Sequence, residues 1–117
     1  MHKENSTHQD FYAGLIRLHI LHHACRGDVF GLWMIEELAR HGYKLSPGTM
    51  YPLLHSLEER GLLVSKEKRE GNRYRKLYRA TPAGRKALKA AKDKVRELFG
   101  ELFEHRHPRR PRKSKAR

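Results

Sequence analysis

The sequence predicts a mainly α-helical chain with one small β-hairpin, and three observations support this prediction. Apolar residues recur at spacings of three and four in four separate stretches, which is typical of helices with one buried face. A fifth stretch, from Leu63 to Ala80, alternates around a central Gly71, as two strands joined by a turn do. The length of 117 residues fits a single domain.

The first two helices are predicted before residue 43. Residues 1–9 are polar and are predicted to be a disordered arm, with Thr7 and Asp10 spaced as a capping box for the helix that follows. That helix is predicted from Asp10 to Arg26, with an apolar side made of Leu15, Leu18, Leu21 and Cys25, widened by Ile16, Ile20 and Ala24. After a turn at residues 28–31, a second helix carries Leu32, Ile35, Leu38 and Ala39 and is capped by Gly42.

The third helix begins after Ser46, a favourable N-cap residue, with Pro47 at its first position. Its core-facing side is predicted to be Met50, Leu53, Leu54 and Leu57, and its opposite side Thr49, Tyr51, His55, Ser56 and Glu59. Gly61 ends it, and Pro52 inside the pattern predicts an irregular first turn. The order helix, helix, turn, helix is that of a helix-turn-helix domain.

The predicted hairpin is strongly basic, and a last helix follows it. The hairpin, with strands predicted at residues 63–69 and 74–80, carries two acids, Glu67 and Glu70, against Lys66, Lys68, Arg69, Arg73, Arg75, Lys76 and Arg79. Thr81 is predicted to cap the last helix, with Pro82 at its first position. An apolar seam runs along this helix, and a second copy of the chain is its predicted partner, through Leu88, Ala91, Val95, Leu98, Phe99 and Leu102, with Phe103 widening the seam.

The charge of the chain favours a polyanionic partner, either nucleic acid or an anionic membrane surface. The formal net charge is +13, and the seven Lys and Arg residues after Glu104 supply +7 of it, which leaves +6 for residues 1–104. Residues 106–117 are too charged and Pro-rich to pack, and are predicted to be a disordered basic tail. One cysteine, no signal peptide and no membrane-spanning run of apolar residues predict a cytoplasmic protein with no membrane partner.

Two segments resemble the signature of the PadR-type transcriptional regulators of bacteria: LSPGTMYPLLHSLEERGLL at residues 45–63 and RKLYRATPAG at residues 75–84. The resemblance covers roughly residues 14–104 and implies a winged helix-turn-helix DNA-binding domain over residues 10–81. It also implies a dimerisation helix over residues 82–105 and repression relieved by an effector, either an unidentified small molecule or a metal. Major-groove contacts are then expected from Ser46, Thr49, Tyr51 and His55, and backbone contacts from Lys66, Lys68, Arg69, Arg73, Arg75 and Lys76.

Histidines on the first helix leave a metal alternative open. His19 with His22, or His19 with His23, is spaced to share a zinc ion, and the remaining ligands would have to come from a neighbouring segment or a second subunit. Because helical histidine pairs are more often solvated surface, no metal or cofactor is predicted. Cys25 reads as a small core residue. The sequence has no phosphate loop, no paired catalytic carboxylates and no nucleotide fingerprint, so no enzyme is predicted.

Two functional hypotheses remain at this stage. The first is a homodimeric, sequence-specific DNA-binding repressor that recognises a pseudo-palindromic operator in double-stranded DNA. The second is a basic interaction module that binds nucleic acid or an acidic partner without sequence preference. Only the first predicts half-sites separated by about one helical turn, roughly 34 Å, or a multiple of it.

Overall fold

The computed structural model describes residues 2–105, with side chains from Asp10 onward. It contains the four helices α1 (His2–Arg26), α2 (Gly31–Arg40), α3 (Pro47–Glu59) and α4 (Pro82–Phe99), the last continued by a π-helical turn, Gly100–Glu104. The strands β1 (Val29–Phe30), β2 (Leu63–Glu70) and β3 (Arg73–Ala80) form an antiparallel sheet in the order β1, β3, β2. The predicted mainly α-helical fold with a basic hairpin is confirmed. The predicted basic tail, residues 106–117, lies outside the described residues.

Helix α1 begins eight residues before its predicted start. Its backbone is helical from His2, so residues 2–9 do not form the predicted disordered arm, and Thr7 and Asp10 lie inside the helix rather than at its cap. Residues 2–10 contain neither proline nor glycine, so nothing in the local backbone chemistry ends the helix there.

The core lies between α1, α2, α3 and the base of the hairpin. Helix α3 contributes the predicted Met50, Leu54 and Leu57, which are almost fully buried. On α2 the buried face differs from the predicted one, because Met34 is buried whereas Leu32 is 49% exposed. The core as a whole contains Ile16, Ile20, Leu21, Ala24, Met34, Leu38, Leu45, Met50, Leu54, Leu57, Leu63, Tyr78 and Ala80.

The sheet has one strand more than the sequence predicted. Val29 and Phe30, read as part of a turn, pair with Tyr78 and Leu77 of β3. The hairpin strands also run further than predicted, to the pair Glu70 and Arg73, so that only residues 71 and 72 form the turn. Gly71 has a φ of 62°, which a residue with a side chain adopts with difficulty, so glycine suits the first turn position.

Thr81 connects the end of α3, the base of the hairpin and the start of α4. Its hydroxyl donates to the carbonyl of Gly61 at 2.6 Å and accepts from the amide of Gly84 at 3.0 Å, which confirms the predicted cap. Its amide donates to the carbonyl of Leu62 at 3.1 Å. Gly84 lies so close to that same carbonyl that a Cβ would collide with it. These contacts hold α3 in a defined position beside the hairpin.

Candidate nucleic-acid interface

Helix α3 presents an outward face that no part of the core covers. This face consists of Gly48, Tyr51, Pro52, His55 and Glu59, all of which are exposed. His55 Nε2 lies 3.7 Å from the carboxylate of Glu59, one turn further along the helix. Among the predicted base-contacting residues, Tyr51 and His55 therefore lie on one accessible face of a helix.

The start of α3 departs from the prediction in its capping. Ser46 is the N-cap residue with extended backbone angles, but its side chain makes no cap bond to the helix backbone. Its hydroxyl instead donates to Oγ1 of the half-buried Thr49 at 3.4 Å. Ser46 and Thr49 thus form one polar pair at the N-terminal end of the helix, next to the outward face.

The helix continues without a break through Pro52, so the predicted irregular first turn is wrong. Proline removes the amide that would donate to the carbonyl of Gly48. Both residues lie on the exposed face, where water can hydrate that carbonyl. The position of the proline on the outside of the helix explains why the helix tolerates it.

Tyr51 is held in place by the start of α2. A Cβ added to Gly31 would lie 2.5 Å from Cε1 and 2.6 Å from both Cζ and Oη of Tyr51, so the ring rests directly on the glycine. On the sheet side stands Tyr78, whose pKa is raised by burial, and further by the nearby Glu58 and Tyr51. Tyr51 nevertheless remains 38% exposed. Sequence reasoning did not identify Gly31 as the residue that positions this side chain.

The six predicted wing cations divide between the two faces of the hairpin. Residues paired across the strands share a face, so Lys76 lies opposite Glu67 and Arg69 lies opposite Tyr74 on one face. Nearer the base, this face carries Ser65, whose hydroxyl donates to Oε2 of Glu58 in α3 at 2.8 Å. It is therefore the α3 side of the wing. The other face carries the remaining four, Lys66, Lys68, Arg73 and Arg75.

Arg75 is occupied by contacts within the protein. Its guanidinium carbon lies 3.8 Å from the centre of the Phe30 ring, and Nη1 donates to Oε1 of Glu70 at 3.0 Å. A cation this close to an aromatic face is attracted by the ring quadrupole. Arg75 therefore links β1 to the hairpin, which sets it apart from the other predicted phosphate contacts.

The α3 side of the wing combines charge with an aromatic ring. Tyr74 is 61% exposed, and the guanidinium carbon of Arg69 lies 5.6 Å from the centre of its ring. Arg69 Nε also donates to the carbonyl of Gly71 at 3.1 Å, so this side chain follows the tip of the hairpin. Lys76 is exposed on the same face.

Helix α4 has an intrachain neighbour, which the sequence had not indicated. Its N-terminal half lies beside α1, where Leu88 is partly buried against the core and Ala91 is half-buried. Between the two helices runs an open groove of about 590 Å³, lined by Leu15, Leu18, His19, His22, Leu88, Lys92, Val95, Arg96 and Phe99. Beyond the groove, Leu98 and Leu102 are 51% and 58% exposed. Of the predicted dimerisation residues, Leu88, Val95 and Phe99 therefore share this groove with α1.

The candidate histidines separate into two groups. His19 and His23 approach His41 at the end of α2, and one ligand atom of each lies within 4.8 Å of the other two. His22 lies outside this group: it lines the groove between α1 and α4, as His19 also does, and its ring centre is 4.9 Å from that of His23. Sequence reasoning missed His41, although the position directly before Gly42 marks it as the end of α2.

Glu37 lies next to this histidine group. Its Oε2 is 3.1 Å from Nε2 of His41 and 3.6 Å from Nε2 of His23, and its Oε1 accepts from Arg40 at 2.8 Å. Burial raises the pKa of Glu37, but the hydrogen bonds from His41 and Arg40 outweigh it and leave the pKa below its ordinary value. Burial and the neighbouring histidines lower the pKa values of His19 and His23. The group thus places one carboxylate beside three imidazole rings.

A helix-turn-helix core with a basic hairpin beside its third helix defines a winged helix-turn-helix transcriptional regulator. Residues 20–90 match the model of the transcriptional regulator PadR-like family, and the chain belongs to this family. It is similar to transcriptional regulator Rv3488 of Mycobacterium tuberculosis, with 51% identity over 95 residues that cover 81% of this chain and 89% of that protein.

Solved structures share the same architecture. A PadR family transcriptional regulator from Eggerthella lenta superposes with a TM-score of 0.74 at 27% identity, covering 89% of this chain and 92% of that one. A PadR-like transcriptional regulator from Bacillus cereus also superposes with a TM-score of 0.74, at 22% identity, covering 86% of this chain and 99% of that one. At this identity the likeness supports the fold alone. Among residues 2–105, none of the helices combines the length and the apolar character that crossing a bilayer requires.

Proposed function

We propose that the protein is a homodimeric, sequence-specific DNA-binding repressor whose hold on its operator is relieved by an effector. The observation that carries this proposal is the outward face of α3, which stands uncovered beside the α3 side of a basic wing. A helix of this kind fits the major groove, and a basic hairpin next to it fits the adjacent phosphates or the minor groove. In bacterial cytoplasm, double-stranded DNA would be the partner.

Within this surface, we assign base recognition to α3 and backbone contacts to the wing. Tyr51 and His55 carry directional hydrogen-bonding groups on the accessible face, with Ser46 and Thr49 at its N-terminal end. Hydrogen-bonding groups at base edges distinguish sequences, whereas Lys and Arg at phosphates hold any sequence. Lys76 and Arg69 are the wing residues best placed for backbone contacts because they lie on the α3 side.

Dimerisation would involve α4 together with the part of α1 that carries Leu15 and Leu18. Val95, Leu98, Phe99 and Leu102 are 45–58% exposed, and Leu15 on α1 is 47% exposed. An exposed apolar surface of this extent on a small domain favours association with a second copy. Two copies related by a two-fold axis would present two α3 helices to half-sites about one helical turn, roughly 34 Å, apart.

Repression would follow from occupancy of the operator, and relief from a molecule that changes how the two α3 helices are held. The groove between α1 and α4 supports a small-molecule effector because it is lined mostly by apolar side chains next to the proposed dimer surface.

The test is a footprint of the full chain on the promoter nearest its own gene, followed by titration of the protected duplex and of a random duplex. We expect a two-fold symmetric footprint and binding at least a thousandfold tighter to the protected duplex. Equal affinity for both duplexes would contradict the proposal and favour a basic module without sequence preference.

A further inference from the structure

Three histidines from two helices meet where the end of α2 lies against α1. His19 and His23 stand one turn apart on α1, and His41 is the C-cap residue of α2. One ligand atom of each ring lies within 4.8 Å of the other two. The ring centres of His19 and His41 are 4.9 Å apart. His19 and His23 are half-buried, whereas His41 is exposed and accessible from solvent.

We propose that His19, His23 and His41 bind a divalent transition-metal ion of the zinc class. Neutral imidazole nitrogens are suitable ligands for zinc, nickel and copper, and three histidines with one open position is a known arrangement for zinc. Zinc–nitrogen bonds of about 2.0–2.1 Å in tetrahedral geometry require nitrogens roughly 3.4 Å apart. Small rotations of the three rings would close the remaining gap, and the exposed His41 has the most freedom to make them.

Glu37 is suited to position these ligands. Its Oε2 faces Nε2 of both His41 and His23, at 3.1 and 3.6 Å, while Arg40 holds its other oxygen. Histidines that bind metals commonly donate their second ring N–H to a carboxylate, which fixes the tautomer and the ring orientation. Glu37 would therefore strengthen metal binding without being one of the three ligands.

A purely structural cluster explains less of this geometry. Hydrogen bonding to Glu37 would account for His23 and His41, which connect α1 to α2 through the carboxylate. It does not account for His19, which joins the cluster through ring contacts with His41 and Tyr43. A metal ion would use all three rings, because one ligand atom of each lies within 4.8 Å of the other two.

The position of the site connects it to α3, and this step rests on the proposed function. His41 is followed by Gly42, with a φ of 90°, and by the short connection that reaches Ser46. Tyr43 in this connection lies 5.2 Å from His19, measured between ring centres. Drawing His41 towards α1 would shift the connection and therefore the start of α3. The metal ion would thus act as an effector that lowers operator affinity, beside any small molecule that binds in the groove between α1 and α4.

The first experiment titrates the full, metal-free chain with Zn²⁺ by calorimetry and with Co²⁺ by visible absorption, with Mg²⁺ as the hard-cation control. We expect one Zn²⁺ per chain, no binding of Mg²⁺, and at least tenfold weaker binding in His19→Ala and His41→Ala. His22→Ala is the matched control, because His22 lies on the same helix but is not among the three histidines whose ligand atoms converge, and it should bind Zn²⁺ normally. No stoichiometric Zn²⁺, or an equal loss in His22→Ala, would overturn the site.

Two further variants separate ligation from folding. His41→Cys keeps a ligand at this position, so it should bind Co²⁺ and add the charge-transfer absorption of a cobalt–thiolate bond. Glu37→Gln should keep one Zn²⁺ per chain but bind it about 10–100-fold more weakly. A His41→Cys protein that folds and binds Co²⁺ without thiolate absorption would show that residue 41 is not a ligand.

The last experiment measures operator binding with and without Zn²⁺. We expect at least a fivefold loss of operator affinity in the unaltered chain and no change in His41→Ala. Unchanged operator affinity in the zinc-bound chain would overturn the effector role while leaving the site intact. Equal binding to operator and random duplex would overturn the proposed function instead, and would leave the calorimetric result unaffected.

Discussion

The ring of Tyr51 occupies the space that a side chain at position 31 would need. The added Cβ would lie 2.5–2.6 Å from three atoms of the phenol, including the hydroxyl oxygen, so the glycine at the start of α2 sets where the Tyr51 hydroxyl lies. Because the obstructing atoms belong to the far end of a side chain, the ring would move rather than the helix. Gly31→Ala should therefore fold normally and reduce operator affinity by about 1–2 kcal/mol, within the range of one base contact.

A double-mutant cycle in operator binding checks this coupling. If Gly31→Ala acts by displacing the ring, adding it to Tyr51→Ala should cost almost nothing further. Gly14→Ala is the matched control, because an added Cβ there meets no described atom within 4 Å. Additive losses in the double variant would show that Gly31 acts independently of Tyr51.

Substitutions at Tyr51 and at Lys76 should weaken DNA binding in different ways. Tyr51→Ala should lower operator affinity by about 1–3 kcal/mol and leave random-DNA binding nearly unchanged, because only directional groups at base edges distinguish sequences. Lys76→Ala should weaken binding to operator and to random DNA alike, and should reduce the slope of log K against log salt by about one unit. Titrations of both duplexes over a salt series measure the two effects. An equal loss on both duplexes for Tyr51→Ala would contradict the assignment.

Arg75 should behave differently from Lys76 despite its similar charge. Its guanidinium is engaged by the Phe30 ring and by Glu70, so its removal should change the salt slope by less than half a unit. The loss should appear in stability, on the order of 1 kcal/mol, because a cation–π contact and a partly exposed ion pair disappear. Thermal unfolding and the salt series of Arg75→Ala, Arg73→Ala and Lys76→Ala give the comparison. A reduction of the salt slope by a full unit in Arg75→Ala would show that Arg75 is one of the phosphate contacts.

Sequence patterns predicted features that depend on nearby residues. The stripe of Met50, Leu54 and Leu57 is buried as its spacing indicated, because the helical period alone determines which side chains share a face. Thr81 caps α4 as expected, since a cap bond joins residues three positions apart. Gly42 and Gly61 adopt positive φ angles after α2 and α3.

Features that depend on distant pairings could not be predicted in this way. Strand β1 has two residues, too few to show alternation, and exists because Val29 and Phe30 pair with β3. Leu15 appeared to belong to the core side of α1, but this helix contacts α2, β3 and α4, so its apolar residues are spread around it. His41 is separated from His23 by an entire helix, and only the packing of α2 on α1 brings the rings together.

Two glycine substitutions should shift stability in opposite directions. Gly84 lies against the carbonyl of Leu62, a backbone atom that cannot move aside, so Gly84→Ala should destabilise the fold by about 1–3 kcal/mol. Gly14 lies on an exposed part of α1, where Gly14→Ala should stabilise the fold by up to about 1 kcal/mol. Chemical denaturation of both variants tests this difference. A neutral Gly84→Ala would mean that α4 can shift away from the hairpin.

The hydroxyl of Thr81 should contribute at least as much to the free energy of unfolding as the side chain of an isolated N-cap residue does. Thr81→Ala removes the bond from the Gly84 amide and the bond to the Gly61 carbonyl, and should cost about 1–2 kcal/mol of unfolding free energy. Thr81→Ser keeps the hydroxyl and is the matched control. A comparable loss in Thr81→Ser would assign the effect to the methyl group rather than to the hydrogen bonds.

The proposed dimer surface can be tested with charges at its exposed leucines. Leu98→Glu combined with Leu102→Glu would bury two carboxylates in the interface, and a buried unpaired charge costs several kcal/mol. If the unaltered chain is a dimer, the double variant should sediment as a monomer at micromolar concentration. It should also give weak operator binding, because two half-sites are no longer engaged together. Leu32→Glu is the control for sedimentation, since Leu32 is 49% exposed on α2 and does not line the groove between α1 and α4. A monomeric unaltered chain would exclude the dimer, and a dimeric double variant would place the interface elsewhere.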